Sequence, residues 1–206
     1  NNIKLAQLTD ILILSVKPKQ YASIINEIKD HIKSNTIIIT IAAGQSMALT
    51  EKRFSHPIKL IRAMPNTPAM VNMGMTALTP NNQMTQNETQ EVKAIFSSFG
   101  KASIVPETLM DAVVGISGPS PAFIFMFIEA MADGAVAAGM PRKQAYTFAA
   151  QTVMGSAKMV LETGKHPGEL KDMVCSPSGT TIDAVENLER NGFRGIVMEA
   201  IRTCVE

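Results

Sequence analysis

Apolar and polar positions follow different patterns in the two halves of the chain. In the first half, short aliphatic runs at residues 11–16 (ILILSV), 37–41 (IIITI) and 59–64 (KLIRAM) alternate with longer, more polar stretches. Continuous aliphatic runs of this length are typical of strands buried on both faces of a parallel sheet. Weaker runs of the same kind predict two more strands, at residues 76–79 and 103–105.

Helices are predicted between these strands. Between the first two, Tyr21, Ile24, Ile25, Ile28 and Ile32 have the spacing of one face of an amphipathic helix. A second, mostly polar helix is predicted at residues 85–99. Since a strand, a helix and a parallel strand form a right-handed crossover unit, the first half is predicted to be part of a doubly wound α/β sheet.

After Pro106 the strand pattern stops, and six helices are predicted, at residues 107–114, 121–138, 141–163, 167–174, 180–191 and 193–205. Proline at first turns and glycine after last turns delimit them. The sequence therefore predicts an α/β domain at residues 1–106 and an all-α domain at residues 107–206. The helix at 121–138 is apolar on nearly every face, so it is either shared between subunits or central in a single-chain bundle.

Composition excludes several classes of protein. The 206 residues are 46% hydrophobic and 18% charged, with a net charge of +1, so no basic surface for nucleic acid is indicated. Two isolated cysteines, Cys175 and Cys204, predict a reduced, cytoplasmic protein. The first ten residues have no signal-peptide pattern. Glu129 and Asp133 interrupt the most apolar run, which favours a buried helix of a soluble assembly over a membrane span.

One loop between two predicted helices is unusually rich in hydroxyl groups. It reads CSPSGTTI, at residues 175–182. The first backbone N–H groups of a helix have no internal partner and carry the positive end of its dipole, so a carboxylate or phosphate is a natural ligand there. The alternative is that Ser178 or Thr180 only caps the helix. Because capping needs one hydroxyl and several are present, an anion or substrate site is favoured.

Three other segments follow successive strands. They are Val16-Lys17-Pro18, Ala42-Ala43-Gly44 and Met64-Pro65-Asn66-Thr67-Pro68. Open α/β sheets bind ligands at the carboxyl ends of their strands, so these segments are predicted to converge on one crevice, although each could be an ordinary connection. No metal site is predicted, because His31, His56 and His166 are far apart in sequence and no ligand spacing occurs.

At these residues the sequence resembles the pyrroline-5-carboxylate reductase family. The resemblance covers essentially the whole chain, including ILILSVKP, ITIAAGQS, RAMPNTPAMVNMGMTAL and, most specifically, LKDMVCSPSGTTI. It implies hydride transfer from NADPH or NADH to Δ1-pyrroline-5-carboxylate, which gives L-proline. It also implies a Rossmann domain followed by a helical dimerisation domain that forms homodimers, often built into decamers.

The resemblance also implies roles for individual residues. The dinucleotide would be lined by two segments, Val16-Lys17-Pro18 and Ala42-Ala43-Gly44. Met64 and Asn66 would lie near the nicotinamide. Ser176 would contribute to the substrate loop, and the backbone of Gly179 and Thr180 would bind the substrate carboxylate. The Thr181 hydroxyl would face the ring nitrogen and orient it, because a threonine of ordinary pKa is not a strong acid.

Two departures from the family pattern bear on ligand binding. Ser178 stands where the family usually has glycine, which matters only if that residue has a positive φ. No G-x-G-x-x-G turn occurs, and by family comparison about sixty residues that include it would precede Asn1. We therefore expect these 206 residues by themselves to bind dinucleotide poorly or not at all, even if the intact protein is an active reductase. Two alternatives stay open: a non-catalytic dimerising or carboxylate-binding relative, and a hydroxyacid-dehydrogenase-like enzyme using Lys158 or Lys171.

Overall fold

A five-stranded sheet is the centre of the first unit in the computed structural model, which describes residues 1–205. The strands are β1 (Ile11–Leu14), β2 (Ile37–Thr40), β3 (Lys59–Met64), β4 (Gly74–Pro80) and β5 (Gly100–Ile104). They lie side by side in chain order. β1, β2 and β3 are parallel, β4 runs antiparallel to β3, and β5 is parallel to β4.

The aliphatic runs form strands because both faces of the sheet are covered. Ile38 and Leu60 belong to a core on one face, together with Tyr21 and Ile25 of a flanking helix. Ile39 and Ile61, one position further along their strands, belong to a second core on the other face, with Val92 and Phe96. Successive side chains of a strand point to opposite faces, which separates the two cores.

Five helices accompany this sheet: α1 (Asn2–Leu8), α2 (Tyr21–Ile28), α3 (Met47–Glu51), α4 (Gln86–Ser97) and α5 (Met110–Ser117). Helices cover both faces, so the first unit is a Rossmann-like α/β fold, as the sequence predicts. The predicted strands and the helices α2 and α4 are present. The sequence did not predict α1 and α3, and it left the antiparallel direction of β4 open.

The second unit, residues 120–204, is entirely helical. Its helices are α6 (Ser120–Ala137), α7 (Arg142–Thr163), α8 (Pro167–Asp172), α9 (Thr180–Arg190) and α10 (Phe193–Thr203). Helix α5 packs against β3 and β4 and therefore belongs to the first unit. The strand pattern of the sequence ends earlier, at Pro106. The domain boundary after residue 106 stays a prediction.

The all-apolar helix α6 is largely exposed in the single chain. It packs along α7, yet Ala132 is its one buried residue among those described, and Phe125 and Met126 are about two-thirds exposed. A central helix of a single-chain bundle is therefore wrong. Glu129 and Asp133 are exposed in the single chain, and Asp133 pairs with Arg142.

Candidate active site

The carboxyl ends of the three parallel strands open into one cavity of about 860 Å³ within the first unit. Ser15 follows β1, Ile41 follows β2, and Met64 ends β3, so each strand contributes to its wall. This is the edge at which open α/β sheets bind ligands. The lining residues are Ile13, Ser15, Ile41, Met64, Pro65, Asn66, Thr67, Ala69, Met70, Phe96, Phe99, Val114, Gly118 and Pro119.

The chemistry of the wall is apolar. None of the lining residues is charged, and the polar side chains among them are those of Ser15, Asn66 and Thr67. Phe96 and Phe99 pack edge to face with ring centroids 5.5 Å apart. A flat, uncharged ring such as a nicotinamide suits this surface better than a phosphate, which would require cations or free backbone N–H groups.

Asn66 fixes the loop after β3 in the wall of the cavity. Its Oδ1 accepts a hydrogen bond from the Met75 backbone N–H at 2.9 Å, and its Nδ2 donates to the Ser117 carbonyl at 3.2 Å. One side chain thereby joins the β3 loop to the start of β4 and to the last turn of α5. The second N–H of its amide is left over from these two bonds.

A buried cation lies just before this loop. Arg62 of β3 donates to Glu107 Oε1 at 3.0 Å, and the same oxygen accepts the backbone N–H of Met47 at 2.8 Å. Arg62 is only 7% exposed, so the carboxylate partner offsets the cost of burying its charge. The pair connects β3, the start of α3 and the 3₁₀ turn before α5. Sequence analysis did not single out either residue.

The predicted cofactor residues fall into two groups in the structure. Met64 and Asn66 line the cavity. Val16, Lys17, Pro18, Ala42, Ala43 and Gly44 lie just beyond the lining residues Ser15 and Ile41, in the loops that follow β1 and β2. Gly44 has a φ of 71°, a conformation that glycine adopts without steric cost and that lets the chain turn sharply after β2.

Sequence reasoning missed four lining residues: Ser15, Ile41, Phe96 of α4, and Phe99, which lies between α4 and β5. The first two directly adjoin segments that it did single out, so the strand ends gave the right place to within one residue. Phe96 and Phe99 stand in FSSFGK, where their spacing of three residues is the available pattern, and it also fits ordinary helix packing.

The hydroxyl-rich loop lies in the second unit, between α8 and α9. Gly179 is the N-cap of α9, and no side chain caps this helix, so the alternative in which Ser178 or Thr180 is merely a capping residue does not describe the structure. The Gly179 N–H donates to the Ser176 carbonyl at 3.1 Å. The N–H groups of Thr180 and Thr181 in the first helical turn have no intrahelical acceptor.

Gly179 is required by space and Ser178 is strained. A Cβ built on Gly179 would lie 2.5 Å from Ser176 Oγ, closer than real Cβ contacts. Ser178 has a φ of 56°, in the left-handed region that favours glycine. Thr180 and Thr181 are exposed, and their hydroxyls have no recorded hydrogen-bond partner within residues 1–205. Two hydroxyls and two backbone N–H groups are therefore available to a ligand.

No cluster of three or more metal-ligating side chains occurs among the described residues 1–205. His31, His56 and His166 are all exposed, as predicted, and His166 Nδ1 accepts the Gly168 N–H at 3.0 Å as the cap of α8. Cys175 and Cys204 are free and half-buried.

The chain is similar to curated proteins over almost its whole length. It is 54% identical to pyrroline-5-carboxylate reductase of Escherichia coli over 203 residues, which cover 98% of the chain and 76% of that protein. The corresponding enzyme of Methanosarcina acetivorans is 48% identical over 98% of the chain and 74% of its own length. This chain belongs to the pyrroline-5-carboxylate reductase family. It is an NAD(P)H-dependent oxidoreductase that converts Δ1-pyrroline-5-carboxylate to L-proline.

A family model and a solved structure agree with this assignment. Residues 107–206 match the model described as pyrroline-5-carboxylate reductase dimerisation. The structure of Plasmodium falciparum pyrroline carboxylate reductase with NADP bound is similar to this reductase at a TM-score of 0.92. It is 32% identical, with the whole chain and 78% of that protein covered. The alternative of a non-catalytic relative has no support in these similarities.

Proposed function

We propose that the cavity at the carboxyl ends of β1, β2 and β3 holds the nicotinamide end of NAD(P)H. The observation that carries this proposal is its uncharged, largely apolar wall at the ligand-binding edge of the sheet. When bound, the reduced nicotinamide supplies the hydride. Met64 contributes apolar surface to the wall, and the remaining amide N–H of Asn66 offers a donor there. The rest of the dinucleotide is lined by the loops after β1 and β2, through Val16, Lys17, Pro18, Ala42, Ala43 and Gly44.

The start of α9 binds the substrate. The substrate carboxylate accepts hydrogen bonds from the uncapped N–H groups of the first turn, where the helix dipole favours an anion. In this conformation the Gly179 N–H already serves the turn to Ser176, so Thr180 and Thr181 provide the donors, and Gly179 provides the space. Ser176 fixes the turn through its carbonyl.

The Thr181 hydroxyl orients the ring nitrogen of the pyrroline. It is exposed at the first turn of α9, where its oxygen can accept a hydrogen bond from a protonated imine and its O–H can donate one to a neutral imine. An iminium is the better hydride acceptor, so a group that holds the proton at the nitrogen raises the rate without acting as a strong acid.

Replacement of Thr181 tests this role. Thr181→Ala is expected to lower kcat for pyrroline-5-carboxylate by roughly 10- to 100-fold, which corresponds to the loss of one hydrogen bond to a charged group. Thr181→Ser keeps the hydroxyl and is expected to retain most of the rate. Thr203→Ala, which removes an exposed threonine hydroxyl from α10, is the matched control. An unchanged kcat in Thr181→Ala would remove Thr181 from the mechanism.

The helical unit forms a homodimer, which can assemble further into a decamer. The support is the apolar surface that α6, α7, α9 and α10 leave exposed in the single chain, together with the dimerisation model that matches residues 107–206. The run Glu107–Ala137 is long and apolar enough to cross a membrane by length and composition, and 6% of its most apolar window is buried. A second copy that covers α6 accounts for that surface without a membrane. Two free thiols support a cytoplasmic location.

A further inference from the structure

Tyr21 is buried against the sheet on the same side as the first core. It is the first residue of α2, and none of its surface is exposed. Its hydroxyl donates to the carbonyl of Leu14 at 2.8 Å. Leu14 is the last residue of β1, so a side chain from the following helix reaches back to the carboxyl end of the strand.

The same phenol also faces the end of β2. The backbone amides of Ile41 and Ala42 lie close enough to its oxygen to act on it electrostatically. Burial raises the pKa of the Tyr21 phenol, and these two amides oppose that rise. The group therefore stays neutral well beyond physiological pH and remains a hydrogen-bond donor to Leu14.

The position of this contact matters because the sheet itself ends there. The pairing of β1 with β2 runs from Ile11 opposite Ile37 to Leu14 opposite Thr40. Ser15 and Ile41, the next residues of the two chains, both line the cavity but are beyond the last pair of the ladder. At this point the Tyr21 hydroxyl is bonded to the last residue of β1 and faces the backbone amides that follow β2.

We propose that Tyr21 is a positioning residue that sets the separation of Ser15 and Ile41, and through it the affinity of the cavity for the dinucleotide. Tyr21 acts through the end of β1, to which its hydroxyl is bonded, and through the backbone after β2, which it faces. This inference rests on the proposed placement of NAD(P)H in the cavity. The effect of Tyr21 is expected on cofactor binding and not on substrate binding, because the residues proposed to bind the substrate lie on α9.

Tyr21→Phe is the direct test, because it removes the hydroxyl and keeps the ring in the core. We expect the KM for NADPH to rise roughly three- to tenfold, which corresponds to the net contribution of one hydrogen bond. The kcat at saturating NADPH and the KM for pyrroline-5-carboxylate are expected to stay within about twofold of wild type. A loss of stability alone would not raise the KM for NADPH while leaving kcat and the KM for pyrroline-5-carboxylate unchanged.

Thr36→Val is the matched control. Thr36 lies just before β2 and is only 2% exposed, and its hydroxyl donates to the Thr9 carbonyl at 3.2 Å. The two variants each lose one buried hydroxyl-to-carbonyl bond, but at opposite ends of the same strands. Thr36→Val is expected to lower the Tm by an amount similar to Tyr21→Phe and to leave the KM for NADPH unchanged.

Ser15→Leu separates failure of this inference from failure of the cavity assignment. A leucine at Ser15 would fill part of the cavity and is expected to raise the KM for NADPH. If it does so while Tyr21→Phe leaves that KM unchanged, the positioning role of Tyr21 is overturned and the cavity assignment stands. If neither variant changes the KM for NADPH, the cavity does not hold the dinucleotide, and the inference falls with it. Equal rises in Tyr21→Phe and Thr36→Val would also overturn the inference, since the effect would then follow stability.

Discussion

The turn between α8 and α9 depends on two adjacent residues with opposite tolerance for a side chain. Gly179 has a φ of –88°, which any residue can adopt, but no room for a Cβ beside Ser176. Ser178 has room but a left-handed backbone, at a cost of roughly 1 kcal/mol relative to glycine. The strain is located next to the proposed substrate carboxylate, where a displaced backbone would misdirect the first-turn N–H groups.

Gly179→Ala is therefore expected to be damaging through contact rather than through φ. The new methyl forces Ser176 Oγ aside and still approaches the Ser176 carbonyl, at 3.1 Å. Overpacking of this kind costs about 1–3 kcal/mol, so we expect a lower free energy of unfolding and a higher KM for pyrroline-5-carboxylate. Urea denaturation and steady-state kinetics measure the two effects.

The double variant Ser176→Ala/Gly179→Ala shows whether that contact is the cause. With Oγ removed, the alanine at 179 is expected to cost less stability than it does with Ser176 present, so the two substitutions should be non-additive. Strictly additive losses of unfolding free energy would mean that the Ser176 side chain is not what excludes a Cβ at position 179.

At the scale of elements, α4 is attached to the sheet through its first turn. Thr85 and Glu88 form a reciprocal capping box, and Glu88 also pairs with Lys59 of β3. The hydrogen bond from Lys59 and those from Thr85 lower the pKa of Glu88 to about 2, from an ordinary value of 4.5. The helix cap and a partly buried ion pair thus both depend on the Glu88 carboxylate, and the same helix carries Phe96, which lines the cavity.

This carboxylate predicts an acid-dependent loss of stability. Because the pKa of Glu88 is lower in the folded protein than in the unfolded chain, its contribution is fully present above about pH 5 and is lost as the pH falls from 4.5 toward 2. Glu88→Gln is expected to be about 1 kcal/mol less stable than wild type at pH 7, and the difference should vanish near pH 2. Urea denaturation across this range is the measurement, with the exposed Glu91→Gln of the same helix as control. A difference that stays constant from pH 7 to pH 2 would contradict the prediction.

The elements that sequence could and could not predict differ in what stabilises them. The strands were predictable because burial on both faces requires continuous aliphatic runs, as at residues 37–41. Helices α1 and α3 have seven and five residues, too few for a hydrophobic period, and each begins at a single polar cap, Asn1 or Ser46. The antiparallel direction of β4 had a usable indication: the connection at residues 65–73 is shorter than the dozen or so residues of a parallel crossover.

The candidate site was predictable to a similar degree. Strand ends located the cavity because ligand binding at that edge follows from the topology. Asn66 could be named, but its bonds to Met75 and Ser117 could not, since they depend on where β4 and α5 pack. Tyr21 reads as an ordinary core residue of α2, and only the structure shows its hydroxyl at the strand ends.

At the scale of the whole molecule, the helical unit exposes more apolar surface than a monomer ordinarily does. Phe125 of α6, Phe148 and Leu161 of α7 and Ile196 of α10 are each about two-thirds exposed. Large contiguous apolar surfaces mark interfaces, and the purpose of this unit in the family is named as dimerisation. The folded state of this unit is therefore expected to depend on protein concentration.

Phe125→Arg tests that dependence. A charge at this exposed apolar position of α6 is expected to shift the protein from dimer or larger assembly toward monomer and to lower its Tm, because an unpaired cation would be buried at the interface. Gln90→Arg, an equal change at an exposed polar position of α4, is expected to leave assembly unchanged. Analytical ultracentrifugation gives the outcome; a Phe125→Arg protein that sediments like wild type would place the interface elsewhere.

The strand order of the sheet has a kinetic consequence. Every strand pairs with its neighbour in sequence, so no pairing has to wait for a segment from the far end of the chain. The entropy lost in closing each connection is then small, and low contact order favours rapid folding. A nascent chain can add β2 to β1, β3 to β2 and so on in the order of synthesis. The cavity walls at Ser15, Ile41 and Met64 would thus be assembled before α6 leaves the ribosome, and only the apolar helices would remain to find their partner.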